Sequence, residues 1–358
     1  MLSSRYMHIG ILLMAVAAVQ VGTQMTGKEF YLTQLIMAAY YSLIIIGLCL
    51  LMGFAGQISL GHAGFFAIGG YATAFLTTFD FTPYKDKAVL SILARIHILV
   101  ARQDLYGGTI LSFEPWAAFL IAVLVTILIA FMIGIPVLKL KGHYLAMATL
   151  GFGTIIYSTV LGTQKFGAAD GISGVPPFVL VPGLSVSGAM PMRIRNYYIA
   201  WSLVAVGMLL LQNLIHSRIG RALRSIHSAE DAANAMGVDT ARFKLNTFVL
   251  SAVFAAVAGV FLTHFNGGIG PSEASIMKSV RYVAIVAVGG MSSLWGTLVM
   301  SVILNFLSLR GYFGAYDDAV FGGILILIML FSPEGILRLN IRGVIRRLFP
   351  KPEGAEAP

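Results

Sequence analysis

Residues 31–64 read YLTQLIMAAYYSLIIIGLCLLMGFAGQISLGHAG. From Tyr31 to Met52 there is no Asp, Glu, Lys or Arg, and the run is long enough to cross a hydrocarbon core, which takes roughly 20 apolar residues as a helix. It runs into Gly53-Phe54-Ala55-Gly56-Gln57-Ile58-Ser59-Leu60-Gly61, where glycines and polar groups predict a short or broken helix. Irregular backbone is tolerated at membrane depth only where it is buried in protein or lines a cavity. This stretch therefore predicts a membrane span that ends in a protein-lined break.

The rest of the chain repeats the pattern. Of its 358 residues 58% are hydrophobic and 11% charged, against roughly 25% charged in a soluble domain, and the mean hydropathy is +0.86. Apolar runs fall near 8–22, 31–52, 54–79, 116–138, 144–163, 198–215, 245–265, 280–291, 294–309 and 319–332. The expected fold is an all-α integral membrane protein, a polytopic bundle of about ten transmembrane helices with short or broken helices near 53–61 and 289–296. The second break, Gly289-Gly290-Met291-Ser292-Ser293-Leu294-Trp295-Gly296, weakly resembles the turn at 56–61, as corresponding places in two halves of an internal repeat would. The run from His8 to Val21 follows Arg5 but ends in no clear small-residue cleavage site, so it reads as a first membrane helix rather than a signal peptide. Cys49 is the only cysteine, which excludes an intrachain disulfide.

The formal charge of +9 is a topology signal here, not a nucleic-acid signal. Arg218, Arg221, Arg224, Arg242 and Lys244 in the loop 216–244, Lys139 and Lys141 in the turn 139–143, and Arg338, Arg342, Arg346, Arg347 and Lys351 in the tail 338–358 belong on the cytoplasmic side. That places both termini inside. The membrane domain is 1–337, and the extracytoplasmic loops are 80–115, 164–197 and 266–279. Within 80–115, Ala88–Ala101 has apolar residues at helical spacing and is expected to lie at the outer interface. Ionisable groups are almost absent from the span centres, so an uphill transporter of this kind draws its energy from elsewhere.

Three sets of residues stand out. Ala55, Ser59, Ala63 and Ala67 recur every four positions, and a helix face without bulk lets a neighbour approach closely. Gly289, Gly290 and Gly296 belong to the same packing class. Gln57, Ser59, His62, His143, Tyr144 and Thr149 are polar groups near breaks or span ends, and read either as pathway groups or as interhelix hydrogen-bond partners. In the loop, Gly220, Arg221, Ala232, Ala233 and Gly237 surround a short alanine-lined helix, with Ser228 expected to cap it, Gly237 to stop it and Asp239 to cap the next. Such a helix is suited to docking in another protein's groove; the alternative is an ordinary surface helix. Gly22-Thr23-Gln24-Met25-Thr26-Gly27-Lys28 has the spacing of a phosphate-binding loop, but Glu29 replaces its Ser or Thr and no strand precedes it. No catalytic constellation, metal-ligand spacing or cofactor motif is present, so neither a membrane enzyme nor a metal site is expected.

The Gly53–Gly70 stretch, the run from Lys141 to Gly153, the loop Gly220–Lys244, the break Gly289–Gly296 and Ser332-Pro333-Glu334-Gly335 together resemble the LivM-type permeases of branched-chain amino acid ABC importers. Five matches in order over most of 30–337 are more specific than any one alone. The chain departs from that family at Thr154, where an acidic residue is usual, and in the longer 80–115 segment. The resemblance implies a bacterial inner-membrane permease subunit for leucine, isoleucine and valine, without enzymatic activity or cofactor of its own. Its implied partners are a second related permease, two cytoplasmic ABC ATPase subunits that dock on the 216–244 loop, an extracytoplasmic solute-binding protein and the lipid bilayer, with no nucleic acid. The same machinery with urea, amides or other amino acids as cargo is the nearest alternative, and a secondary transporter the next.

Overall fold

The computed structural model describes residues 2–84, 98–103, 108–140, 142–312 and 314–331. Lys141, Ser332-Pro333-Glu334-Gly335, the 338–358 tail and much of the 80–115 loop lie outside those residues. Twelve α-helices run through the described part: α1 (Leu2–Met25), α2 (Phe30–Cys49), α3 (His62–Thr78), α4 (Pro115–Val137), α5 (His143–Gly162), α6 (Arg193–His216), α7 (Arg218–Ser228), α8 (Glu230–Ala235), α9 (Thr240–Asn266), α10 (Ile276–Gly289), α11 (Leu294–Leu309) and α12 (Asp317–Phe331). Six are long and apolar enough to cross a membrane, and α11 is a shorter apolar helix. The chain is a multi-pass membrane protein.

The described part is mostly helical, as the all-α expectation has it, with short strands in the loops. Three two-stranded antiparallel ribbons occur: β1 (Leu99–Gln103) with β2 (Thr109–Phe113), β3 (Ile172–Ser173) with β6 (Gly268–Ile269), and β4 (Phe178–Val181) with β5 (Leu184–Val186). The first corrects the helical reading of Ala88–Ala101 at its end, because Leu99–Ala101 pair with Leu111–Phe113. Short apolar runs fit either period, and the β-branched partner segment at 109–110 decides for strand.

Helices α2 and α9 form the centre: 89% of the apolar window of α2 is buried, against 17% for α1 at the rim. Backbone contact ties α3 to α9. A Cβ added at Gly69 would lie 2.4 Å from the Ala256 carbonyl oxygen, and one at Gly259 would lie 2.2 Å from that of Phe66. Such approach suits a membrane interior, where helices associate by packing rather than by hydrophobic exclusion.

Helix α4 shows the same rule as an inside-out stripe. Ala118, Ala122, Thr126, Ala130 and Gly134, one every four residues, are buried, while Leu120, Leu124, Leu128 and Met132 are exposed. The large side chains face outward, as lipid permits, and the small ones allow close approach to α3 and α9. Ala122→Leu should therefore lower stability by roughly 1–3 kcal/mol through overpacking, whereas Leu124→Ala should leave it within about 0.5 kcal/mol. Unfolding of the two variants in the same detergent checks the contrast.

The break after α2 differs in detail from the reading of 54–79 as one span. The helix ends in a π-helical turn, Leu50–Phe54. Residues 56–61 are non-helical, and helix resumes only at His62. Ala55 and Ser59 thus do not share a helix face with Ala63 and Ala67, although all four are buried. Gly56, at φ +68°, ends the helical path, and the Gln57 N–H reaches back to the Leu51 carbonyl at 3.1 Å.

The two breaks meet. A Cβ on Gly53 would stand 1.6 Å from the Met291 carbonyl oxygen, so only glycine fits there. The Cys49 thiol donates to that same oxygen at 3.3 Å. Gly289 is equally constrained, since a Cβ there would be 2.4 Å from the Thr297 Cα.

Candidate functional site

One end of the bundle gathers the break at 55–61, the turn after α4 and the helices α7 and α8. Between them lies a cavity of about 220 Å³, bordered by Gly56, Gln57, Gly142, His227, Glu230 and Lys244 among others. Of the six polar groups singled out in the sequence, Gln57 borders this space. Its side chain is 2% exposed, and neither its amide nitrogen nor its amide oxygen has a hydrogen-bond partner. Buried amides are normally paired, so this one is available to something that enters the cavity.

Three others are used to hold the break in place. His62 Nδ1 lies 3.0 Å from the Ser59 hydroxyl and its Nε2 lies 2.7 Å from the Ser251 hydroxyl, all three residues buried. This chain fastens the start of α3 to the middle of α9. The Leu60 N–H donates to the Thr149 hydroxyl at 3.0 Å, which fastens the same segment to α5. The Ala63 N–H donates to the Ser279 hydroxyl at 3.2 Å, which adds α10. Ser251 and Ser279 carried no signal in the sequence, since single serines within apolar runs are common. His143 and Tyr144 instead open the first turn of α5 and are exposed, Tyr144 to 72%. The six therefore share the α3 and α5 side of the bundle but not one cavity.

The loop between α6 and α9 folds as two short helices. Gly220 is required by proximity, since a Cβ would fall 2.0 Å from the Ile215 carbonyl oxygen. Arg224 Nη2 donates to that oxygen at 2.7 Å. Gly237 adopts φ +84°, closes α8 through N–H donation to Asn234, and allows Val238 N–H to reach Ala233. Asp239 accepts from the Arg242 N–H at 3.0 Å and so caps α9. Ser228, expected to cap α8, is instead the last residue of α7, and its hydroxyl donates to the Arg224 carbonyl. Ala229 stands at the cap position in extended backbone without a side-chain bond. Ala233, offered above as a docking residue, faces inward at 5% exposure, while Arg221, Ala232 and Gly237 are exposed and Met236 reaches 85%. The inward side is anchored by an ion pair between Glu230 and Lys244, whose side chains are 29% and 9% exposed. Within the described residues, then, the outward knob is Ala232, Asn234, Ala235 and Met236.

Two ion pairs carried no signal in the sequence, Arg281 with Asp317 at 3.3 Å and Lys278 with Glu273 at 3.0 Å. Glu273 and Lys278, both within the stretch 266–279 read as an outer loop, instead fold in against α2 and form an ion pair on Tyr41. Sequence separation hides it, because Tyr41 lies 232 residues before Glu273.

Comparison with known proteins bears on these features together. The family described as the branched-chain amino acid transport system / permease component matches residues 30–329. The chain is 29% identical over 325 residues to the high-affinity branched-chain amino acid transport system permease protein LivM of Salmonella typhimurium, covering 85% of this chain and 69% of that one. It is 26% identical over 323 residues to the permease protein BraD of Pseudomonas aeruginosa, covering 86% and 95%. To the permease protein LivH of Escherichia coli it is 26% identical over 309 residues, covering 83% and 91%. No solved structure matches the chain.

Proposed function

Because the chain belongs to the branched-chain amino acid transport permease family, we propose that it is the membrane-spanning subunit of an ATP-driven importer that moves leucine, isoleucine and valine. The observation that carries this reading is a family match over 30–329, laid on a bundle in which the α7–α8 knob is a compact helical element outside the candidate spans. In this reading the chain hydrolyses nothing itself. A second related permease stands beside it, two ABC ATPases act from the α8 side, and a solute-binding protein delivers cargo at the end bearing the ribbons.

The orientation follows from charge. Lys139, Arg218, Arg221 and Arg242 all sit at the end that holds α8, so the positive-inside bias makes that end cytoplasmic. In this reading both termini lie inside, in the inner membrane of a bacterium, which the basic residues of the 338–358 tail support.

Within the chain, the path borders the α2–α3 break and the α5 face. The unpartnered Gln57 amide serves as a weak neutral contact near the exit, and Ser59, His62 and Thr149 keep the break in shape. His143 and Tyr144 lie on the wall that meets the second permease. Weak neutral groups suit conduction, because cargo must also leave.

The test is uptake of labelled leucine, isoleucine, valine and urea by cells with and without this gene, repeated with the ATPase genes deleted. Loss of all three branched-chain substrates in both deletions is expected, with urea unaffected. Leucine uptake that persists without any ATPase would overturn the ATP-driven reading, and loss of urea alone would reassign the cargo.

A further inference from the structure

The Glu273–Lys278 pair lies at half the height of the bundle. Tyr41, which holds it, is about 16 Å from the start of α2 at 1.5 Å per residue, close to the middle of a span whose helical path runs from Phe30 to Phe54. The Lys278 ammonium donates to the Glu273 carboxylate at 3.0 and 3.1 Å and to the Tyr41 oxygen at 2.9 Å. The Tyr41 hydroxyl donates to the same carboxylate at 3.0 Å. The side chains of Lys278 and Glu273 retain 24% and 17% exposure, so the pair is reached from outside the packed core. Ionised groups at this depth are costly and tend to mark a transport path.

Its surroundings are not those of a closed structural brace. Tyr282 on α10 has its ring 6.3 Å from that of Tyr41, and Tyr71 lies on α3, against which the turn that carries Glu273 packs. Both are buried and without a hydrogen-bond partner, which is unusual for a buried hydroxyl. Glu273 is carried on the single turn Pro271–Ala274, packed against α3 and α5. Lys278 lies in the first turn of α10, whose N-terminus Ser275 caps by accepting from the Lys278 N–H, and that end of a helix favours a carboxylate. Apolar surface adjoins the polar cluster at Met277, 60% exposed beside Lys278, while the fully buried Phe66 backs Tyr41 with ring centroids 6.0 Å apart.

We propose that Glu273 and Lys278, with the hydroxyls of Tyr41, Tyr71 and Tyr282, form a zwitterion-exchange site for the α-amino acid in transit. The cargo ammonium takes the place of Lys278 on the Glu273 carboxylate, and the cargo carboxylate meets the released Lys278 ammonium at the α10 N-terminus. Its aliphatic side chain rests on the apolar surface. Each charge exchanges one counter-ion for another, so neither the site nor the cargo is left with an unpaired charge in a low-dielectric interior. The site is neutral overall and recloses on itself, so it releases what it holds. This inference rests on the amino-acid transport reading above and assigns that transport its charged residues.

The experiment uses the whole complex in liposomes, saturated with leucine-loaded binding protein, and scores labelled leucine uptake per assembled complex. The double variant Glu273→Gln/Lys278→Met removes both charges together, and the exchanged pair Glu273→Lys/Lys278→Glu keeps an ion pair but reverses it. Both should lose at least tenfold in uptake, and Tyr71→Phe, which breaks no bond within the chain, should lose threefold or more. Wild-type uptake by the double variant or by the exchanged pair would show a dispensable group or a mere brace and overturn the site. Should neither pair variant assemble, unchanged uptake in Tyr71→Phe would overturn it. A wild-type complex that imports another solute but no leucine would instead overturn the transport reading, which is a different result.

Discussion

Gly259→Val should be among the most damaging single substitutions in the membrane region, lowering stability by about 3 kcal/mol, the upper end of ordinary overpacking. The reason is what the new side chain would strike. Its first carbon would come within 2.2 Å of the Phe66 carbonyl oxygen and 3.2 Å of the Gly70 nitrogen. Those are backbone atoms of α3, so no rotamer change relieves the clash and the two helices must separate. Separation would also pull Ser251 from His62, which now meet at 2.7 Å, and with it the anchor of the α2–α3 break. Gly22→Val on α1 is the control, because nothing lies within 4 Å of a Cβ there. Melting of the purified variants in detergent should show a large drop for the first and little change for the second. Equal melting temperatures would show that α3 and α9 do not touch through their backbones.

The second large effect concerns α8. In Glu230→Gln, Lys244 would keep its charge with only 9% of its side chain exposed and without its carboxylate. Breaking a fully buried pair costs about 3–5 kcal/mol; because Glu230 keeps 29% exposure, about 2 kcal/mol is expected here. The loss falls on a six-residue helix, so α8 should come loose while the bundle stays folded. Amide exchange across 229–238 should rise by more than tenfold, and ATP-driven uptake should fall. The double variant Glu230→Gln/Lys244→Met should restore most of the protection, since both charges then leave together. Unchanged exchange in the single variant would show that the ion pair does not anchor the knob.

Much of this architecture is legible in the sequence, because a span is a property of a continuous run. The run from Tyr31 to Met52 announces α2 by length and absence of charge, and the limits 294–309 coincide with those of α11. Gly53 and Gly289 likewise announce their breaks. The point at which helix resumes does not show: Ala55, Ser59, Ala63 and Ala67 carry a perfect four-residue spacing, yet Ser59 bonds His62 and Leu60 bonds Thr149 instead of continuing a helix. Local spacing cannot outvote partners that lie 89 residues away. The same holds for Glu273 and Lys278, whose setting is made by Tyr41, Tyr71 and Tyr282. The small stripe on α4 is readable in the sequence, since Ala118, Ala122, Thr126, Ala130 and Gly134 are spaced as regularly as any in the chain.

The short helices have a consequence for biogenesis. With 17 and 14 residues, α3 and α10 measure about 26 and 21 Å at 1.5 Å per residue, less than the ~30 Å hydrocarbon thickness. Alone in lipid, each would need the bilayer to thin or its flanking residues to snorkel. Helix α3 has its backbone partner in α9, which leaves the ribosome some 180 residues later. Helix α3 therefore reaches its final packing only once α9 has been made. The order in which this chain is made is not the order in which it settles.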